Sequence, residues 1–127
     1  MIVQQLSVFL ENRPGVLAEV CKALSEKAIN ILGFSISDTV DYAVVRLIVD
    51  DSTGATHVLG EGGALVVETE VLELKLANRP GSLQDVAAKL AKAGVNIEYA
   101  YGSGDGKEGR VYIRVSDVKK ATAVLGG

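Results

Sequence analysis

Two short segments of the chain carry the same four residues, whose types could hold a small zwitterion. Asn12-Arg13-Pro14-Gly15 and Asn78-Arg79-Pro80-Gly81 each lie between an alternating apolar stretch and a stretch that is apolar at every third or fourth position. An asparagine amide carries both an acceptor and donors, and glycine lets a ligand approach the backbone. If a helix begins at the glycine, its unpaired N–H groups attract a carboxylate. This pattern favours binding of an α-amino acid head group.

The same four residues also make a stable turn and helix start without any ligand. A duplicated fold duplicates its turns, so the repetition alone does not decide between the two interpretations. Arg13 and Arg79 could pair with a ligand carboxylate, although an arginine in an exposed turn is more often a solvated charge. Both alternatives stay open at the level of the sequence.

Residues that could support catalysis or metal binding are few. The chain has one cysteine and one histidine, which exclude an internal disulfide and a thiolate metal cluster. Cys21 is expected to be a small core residue, and His57 has no neighbours at metal-ligand spacing. The loop predicted at 102–109 contains Gly-x-Gly, but it joins two strands, whereas a phosphate loop must precede a helix. We therefore expect that the protein is not an enzyme and that it binds no metal and no cofactor.

An internal repeat relates the two turns. The offset is about 66 residues and holds without a gap from Leu6/Leu72 to Val49/Val115, with about 14 of 44 positions identical. The sequence therefore predicts a tandem duplication, with modules at 1–69 and 70–127.

The hydrophobic periods place the turns between a strand and a helix in each copy. Alternation predicts strands and a period of 3.6 predicts helices, and Asp51 and Asp117 are predicted N-caps. Copy one is predicted to have strands at 6–10, 29–37, 42–49 and 64–69 and helices at 17–28 and 52–59, with a turn at 38–41. Copy two is predicted to have strands at 71–76, 95–101 and 110–115 and helices at 83–90 and 118–125.

This order predicts an α+β fold of two ferredoxin-like βαββαβ modules, each an antiparallel sheet with helices on one face. The second module lacks its last strand. Either the sequence has been shortened there, or another chain fills the open edge.

The composition limits the kinds of partner that the protein is expected to bind. The formal net charge is −3 and the sequence pI is near 5.1, so no basic surface for nucleic acid is expected. No apolar run reaches the length of a membrane-spanning helix, and the start of the chain does not resemble a signal peptide. We expect a cytoplasmic protein with no nucleic-acid or membrane partner.

At the repeated turns the sequence resembles the ACT domain. The matching residues are Asn12-Arg13-Pro14-Gly15-Val16-Leu17 with Asn30-Ile31, and Asn78-Arg79-Pro80-Gly81-Ser82-Leu83 with Asn96-Ile97. The resemblance covers nearly the whole chain, and it indicates a small stand-alone tandem ACT protein.

The resemblance implies an allosteric amino-acid sensor whose ligand lies between two ACT modules. The first turn and helix of one module would contribute Asn12, Arg13, Gly15, Val16 and Leu17, or Asn78, Arg79, Gly81, Ser82 and Leu83. Strand two of the neighbouring module would contribute Asn30 and Ile31, or Asn96 and Ile97. The alternative is a regulatory subunit that acts in trans on an amino-acid biosynthetic enzyme or a transcriptional regulator. A homodimer or an enzyme partner is expected.

Overall fold

The structure, a computed structural model, describes residues 1–39 and 41–126, except for the side chain of Asp105. The chain divides into two compact units. Unit one comprises Gln4–Thr69, and unit two comprises Met1–Val3 together with the chain from Glu70 onward. The described residues form six strands and four helices, which confirms the α+β fold class predicted from the periods.

Unit one has an antiparallel sheet of four strands in the order β2-β3-β1-β4. Its elements are β1 (Ile2–Glu11), α1 (Val16–Glu26), β2 (Ile31–Asp38), β3 (Tyr42–Val49), α2 (Ser52–Glu61) and the start of β4 (Leu65–Ala77). The apolar stripe of α1 packs on the sheet, where Val20 and Leu24 join a core that includes Leu6, Val45 and Leu47.

Unit two repeats this arrangement with β1, β4, β6 and β5 as neighbours in that order. Its further elements are α3 (Ser82–Lys92), β5 (Ile97–Asp105), β6 (Glu108–Val115) and α4 (Val118–Leu125). Leu72, Leu90, Val95 and Ile113 form its buried core. Both predicted N-caps are present, since Asp51 accepts from the Gly54 N–H at 2.9 Å and Asp117 accepts from the Lys120 N–H at 3.0 Å.

The boundary expected between two strands at residue 70 is absent. The structure has one continuous strand, β4, of 13 residues, where the sequence predicts separate strands at 64–69 and 71–76. No glycine or proline interrupts residues 65–77, so nothing in the backbone forces a turn there.

The start of the chain takes the strand position that was expected to be vacant in unit two. The Met1 amino group donates to the Glu73 carbonyl at 3.2 Å, and the Glu73 N–H donates to the Met1 carbonyl at 2.8 Å. The expectation of a missing last strand is therefore wrong for the folded chain. The first strand begins at Ile2 rather than Leu6, and these additional residues pair with β4.

The glycine-rich segment of unit two is a tight hairpin rather than the eight-residue loop expected at 102–109. Strands β5 and β6 pair up to Asp105 and Glu108, and only Gly106 and Lys107 form the turn. Gly106 has a φ of +68°, which glycine adopts without strain. Of the turn predicted at 38–41, Val40 lies outside the described residues.

Candidate functional site

In unit one, the Asn-Arg-Pro-Gly turn leads from β1 into α1 and lies beside the β2–β3 hairpin. The Asn12 N–H donates to the Asp41 carbonyl at 3.4 Å. Gly15 is the N-cap with a φ of +89°, and no side chain caps this helix. The predicted helix start is therefore present, without a side-chain acceptor for the N–H groups of its first turn.

In unit two, the equivalent turn has the same backbone path and more side-chain contacts. Asn78 Nδ2 donates to the Gly106 carbonyl at 2.9 Å, and the Asn78 N–H donates to the Lys107 carbonyl at 2.8 Å. Gly81, with a φ of +91°, is an N-cap without a side-chain acceptor. The Asn78 amide therefore uses a donor to hold the hairpin tip, as the ligand-free interpretation of the turn expects.

The arginines of both turns pair with carboxylates of the same unit. Arg13 Nε donates to Glu11 Oε2 at 3.1 Å, and Arg13 Nη2 lies 3.7 Å from Glu19 Oε2. Arg79 Nη2 lies 3.6 Å from Asp85 Oδ2. These pairs are largely exposed, so each contributes little to stability. A ligand carboxylate at either arginine has to compete with them.

The first helical turn offers different side chains in the two units. Val16 is only 7% exposed, so its side chain belongs to the fold and only its backbone N–H is available to a ligand. Ser82, at the equivalent position, donates through Oγ to the Ala77 carbonyl at 2.6 Å. Leu17 and Leu83 are both exposed, and these are the apolar side chains that a ligand at either helix start meets.

Asn30 and Asn96 lie far from the turn of their own unit. The Asn30 N–H donates to Asp50 Oδ1 at 2.9 Å, beyond the end of β3, whereas Asn12 contacts Asp41, just before β3 begins. A strand of this length separates the two asparagines by roughly 25 Å. Ile31 begins β2 beside Asn30 and pairs with Val49, so it lies at the same distant end.

Unit two separates the same residues in the same way. The Asn96 N–H donates to Ser116 Oγ at 2.9 Å, beyond the end of β6, and Asn78 contacts Lys107, just before β6 begins. Ile97 pairs with Val115 at the Asn96 end. The structure therefore does not bring the turn and the strand-two residues together within either unit. Asp50 and Ser116 could not be predicted from the sequence as partners of the two asparagines.

The expectation that Cys21 is a core residue is wrong, since its exposure is intermediate. It lines an open pocket of about 370 Å³ between the C-terminal half of α1 and the start of β2. The lining residues are Cys21, Leu24, Ser25, Ala28, Ile29, Asn30 and Ile31. In the repeat, Ala87 and Ala91 stand in place of Cys21 and Ser25, so the polar groups from α1 belong to unit one.

A polar cluster on β4 and β6 was missed by the sequence analysis. Tyr112 is only 4% exposed and lies across from Glu73 and Tyr101 in the sheet. Burial raises the pKa of the Tyr112 phenol, and the Glu73 carboxylate raises this pKa further, while Arg110 acts against both. Arg110 Nη1 lies 3.7 Å from Glu73 Oε2. Polar and apolar residues alternate along β6. This alternation predicts that the polar side chains of β6 are exposed, so the burial of Tyr112 could not be predicted from it.

The single histidine, His57, pairs with a carboxylate of its own helix. His57 Nε2 lies 3.1 Å from Glu61 Oε1, one turn along α2. Across residues 1–39 and 41–126, no three His, Cys, Asp or Glu side chains come together as a metal site. None of the helices that the structure describes is long and apolar enough to cross a membrane.

The chain matches a known protein family. A profile of the ACT domain pair matches residues 1–126. The crystal structure of protein BT0572 from Bacteroides thetaiotaomicron is similar to the chain at 36% identity and a TM-score of 0.96, over 99% of this chain and 88% of that one. A search of curated proteins found no match.

Two more distant crystal structures share the fold. The regulatory subunit of aspartate kinase from Thermus thermophilus, in its ligand-free form, has a TM-score of 0.71 at 15% identity, over 99% of this chain and 95% of that one. The equivalent subunit from Thermus flavus has a TM-score of 0.67 at 16% identity, over 99% and 94%.

Proposed function

Since the chain belongs to the ACT domain pair family, we propose that it is a regulatory protein that binds an amino acid or a related small carboxylate. The ligand site is formed by the Asn-Arg-Pro-Gly turn of one module and the start of strand two of a neighbouring module. Ligand binding regulates a partner. No catalytic step, metal or cofactor is assigned to the protein.

One observation supports this proposal most strongly: both helices start at a glycine N-cap that has no side-chain acceptor and that lies three residues after an asparagine. Neither α1 nor α3 has a side-chain acceptor at its N-cap, so N–H groups of the first turn remain for an anion. Asn12 and Asn78 carry an amide oxygen in the same turn, which suits the ammonium of the same ligand. The two charges of an α-amino acid head group match this arrangement.

The remaining residues of the proposed site have defined roles. Gly15 and Gly81 allow the head group to approach the backbone, and Val16 contributes its N–H group. The Ser82 N–H donates to the Arg79 carbonyl at 3.3 Å, so a ligand at Ser82 has to displace this bond. Leu17 and Leu83 contact the ligand side chain. Arg13 and Arg79 exchange a protein carboxylate for that of the ligand. The second part of the site is contributed by Asn30 and Ile31, or by Asn96 and Ile97, from a neighbouring module.

A role as a regulatory subunit acting in trans is the second candidate. It is supported by the aspartate kinase regulatory subunits, which the chain matches over 95% and 94% of their lengths. At 15% and 16% identity, this similarity supports a shared fold rather than a particular enzyme partner. Affinity purification of the tagged chain from its native extract distinguishes the candidates, since a trans-acting subunit retains an enzyme or a transcriptional regulator.

A thermal-shift panel of the twenty standard amino acids tests the binding function. A ligand at 100 times its Kd adds about 2.7 kcal/mol to the free energy of unfolding, which raises Tm by several degrees. The expected result is a shift with one amino acid or a few related ones. If millimolar concentrations of all twenty leave Tm unchanged, the proposed function is wrong.

The variant Asn12→Ala then locates the site. We expect it to weaken the shift given by the active ligand at a cost in stability of about 1 kcal/mol or less. Lys22→Ala is the control, because Lys22 is exposed on α1 and its ion pair is with Glu26, one turn along the same helix. Unchanged affinity in Asn12→Ala with a lower Tm would assign the turn of unit one a structural role only.

A further inference from the structure

One arginine of unit one lies in the middle of its sheet, on the face opposite α1 and α2. Arg46 stands on β3 between Val45 and Leu47, which are buried in the core that these helices cover. Because side chains alternate along a strand, Arg46 points to the opposite face of the sheet. This surface is termed the outer face of unit one, and the neighbours of Arg46 on it decide what the charge can bind.

Serine residues flank Arg46 on both neighbouring strands. Ser7 of β1 and Ser35 of β2 are its direct partners in the register, so the three side chains form a row on the outer face. Arg46 Nη1 donates to the Oγ of Ser37, two residues further along β2, at 3.3 Å. Ser37 is exposed, and Ser35 and Arg46 are half-buried. Solvent therefore reaches the end of the row at β2.

The inner end of the row is buried, polar and uncharged. Gln5 is fully buried and Ser7 is 8% exposed, and Gln5 Nε2 donates to Ser7 Oγ at 3.4 Å. Arg46 is the only charged residue among the central outer-face positions of β1, β2 and β3, which are Gln5, Ser7, Phe9, Gly33, Ser35, Ser37, Val44, Arg46 and Ile48. The row is therefore a strip of hydroxyl groups with one positive charge.

Two carboxylates close to this strip do not belong to it. Asp38 follows Ser37, but the alternation of side chains places Asp38 on the helix-covered face of the sheet. Glu11 stands on the outer face at the far end of β1, and its Oε2 accepts from Arg13 Nε at 3.1 Å. The charge that an anion meets at the centre of the outer face is therefore that of Arg46.

The second copy of the fold has an aromatic and acidic row in the same place. The three positions of the row hold Tyr101, Tyr112 and Glu73 in unit two, in the same register. The position of Gln5 holds Val71, which is fully buried. Because unit two builds the same sheet with these side chains, the architecture does not require the polar row of unit one. Burying polar groups is costly, so a polar row that the fold does not need indicates a binding role.

We propose that the outer face of unit one binds a phosphate group at Arg46, Ser35 and Ser37, and that unit two has no equivalent site. The guanidinium supplies the charge and paired N–H donors. Ser37 accepts from Arg46 through its oxygen, so its own hydrogen is left to donate to the ligand, and the Ser35 hydroxyl is a further donor. Donors from two strands suit the several oxygens of a phosphate group better than the two oxygens of a carboxylate.

The proposal uses none of the residues of the proposed amino-acid site and does not rest on the proposed function. The same chemistry recognises inorganic phosphate and the phosphate ester of a small molecule, so both are used as probes.

Isothermal titration calorimetry of the full chain tests the site, in phosphate-free buffer with sodium chloride holding the ionic strength constant. Inorganic phosphate and methyl phosphate are titrated separately, and we expect saturable binding of at least one of them, with one site per chain. Tighter binding of methyl phosphate identifies an ester as the ligand, and tighter binding of inorganic phosphate identifies the free ion. Acetate is expected to bind at least about tenfold more weakly, because it offers fewer acceptor oxygens.

Two variants with matched controls locate the site. Arg46→Gln removes the charge and is expected to abolish binding, whereas Arg110→Gln, on β6 of unit two, is expected to leave the affinity unchanged. Ser37→Ala removes one donor and is expected to weaken binding at least about tenfold. Ser103→Ala is its control at the equivalent position of β5 and is expected to bind as the wild type does.

Circular dichroism and a cooperative thermal melt establish that each variant is folded. If Arg46→Gln does not fold, Ser37→Ala decides the test, because the Ser37 side chain is exposed. The proposal is overturned if neither phosphate binds at millimolar concentration, if acetate binds equally well, or if two sites per chain are found. Unchanged affinity in folded Arg46→Gln or in Ser37→Ala, or lost binding in Ser103→Ala, also overturns it.

Discussion

Replacing Asn78 with alanine separates the two roles of its side chain, a contact within unit two and the proposed contact with a ligand. Within the chain, Asn78 Nδ2 donates one hydrogen bond to the Gly106 carbonyl, at 2.9 Å. A neutral hydrogen bond contributes about 0.5–1.5 kcal/mol net. Because this one is exposed, we expect the lower half of that range, which lowers Tm by about 2–5 °C.

The expected effect on binding is larger than the effect on folding. A hydrogen bond to a charged group contributes about 1.5–3 kcal/mol, so loss of the amide oxygen weakens amino-acid binding by about 10- to 150-fold at the site of unit two. Asn78→Asp is the informative comparison, because aspartate keeps an acceptor for the ammonium but cannot donate to Gly106. It is expected to lose the same stability and to bind more tightly than Asn78→Ala.

Isothermal titration calorimetry measures the affinity and urea unfolding measures the stability. Lys92→Ala, an exposed change at the end of α3, is the control and is expected to leave both unchanged. If Asn78→Ala and Asn78→Asp lose stability while both keep the affinity of the wild type, Asn78 only holds the hairpin tip. The reasoning would then be refuted for unit two.

Three further predictions concern the fold. Burial and then Glu73 raise the pKa of Tyr112, so the stabilisation by its protonated phenol is present below about pH 10 and is lost as the pH rises through the folded-state pKa. In urea unfolding, the wild type should therefore lose stability relative to Tyr112→Phe only as the pH rises above about 10, and parallel curves would contradict this. Ala28 has a φ of +56°, in the left-handed region, where its counterpart Gly94 has +75°. Ala28→Gly should therefore raise the free energy of unfolding by about 0.5–1 kcal/mol, and Gly94→Ala should lower it. Thermal melts of both variants test this. Asp51→Ala removes the N-cap of α2 and should cost about 1 kcal/mol in urea unfolding, whereas no change would show that this cap is dispensable.

Most of the fold could be predicted because the sequence contains two copies of the same pattern of strands and helices. Strand β3 was predicted at 42–49 and is found at Tyr42–Val49, since alternating apolar residues lie between a turn and a capped helix. The start of β1 was not found, because Gln4 and Gln5 interrupt the apolar alternation. Gln5 is fully buried, with Nε2 3.4 Å from Ser7 Oγ. The burial of a glutamine depends on how the strand packs in the fold, which the periodicity of the sequence does not show.

The candidate site could be predicted only in part. The turns and the helix starts at Val16 and Ser82 follow from proline, glycine and the apolar stripe after them. The use of the Asn78 amide by Gly106 could not be predicted, because the contact spans 28 residues. The separation of Asn12 from Asn30 was also hidden, since it depends on the lengths of β2 and β3. The ligand roles of these residues remain a prediction.

Calorimetric titration with chemically blocked ligands tests the central claim most directly, namely that the turns recognise both charges of an amino acid. The ligand is the amino acid that gives the largest thermal shift, compared with its N-acetyl and methyl ester derivatives. Because each derivative lacks one charge, we expect both to bind at least about tenfold more weakly, consistent with the loss of one charged hydrogen bond. Equal affinity for the free amino acid and both derivatives would contradict the account.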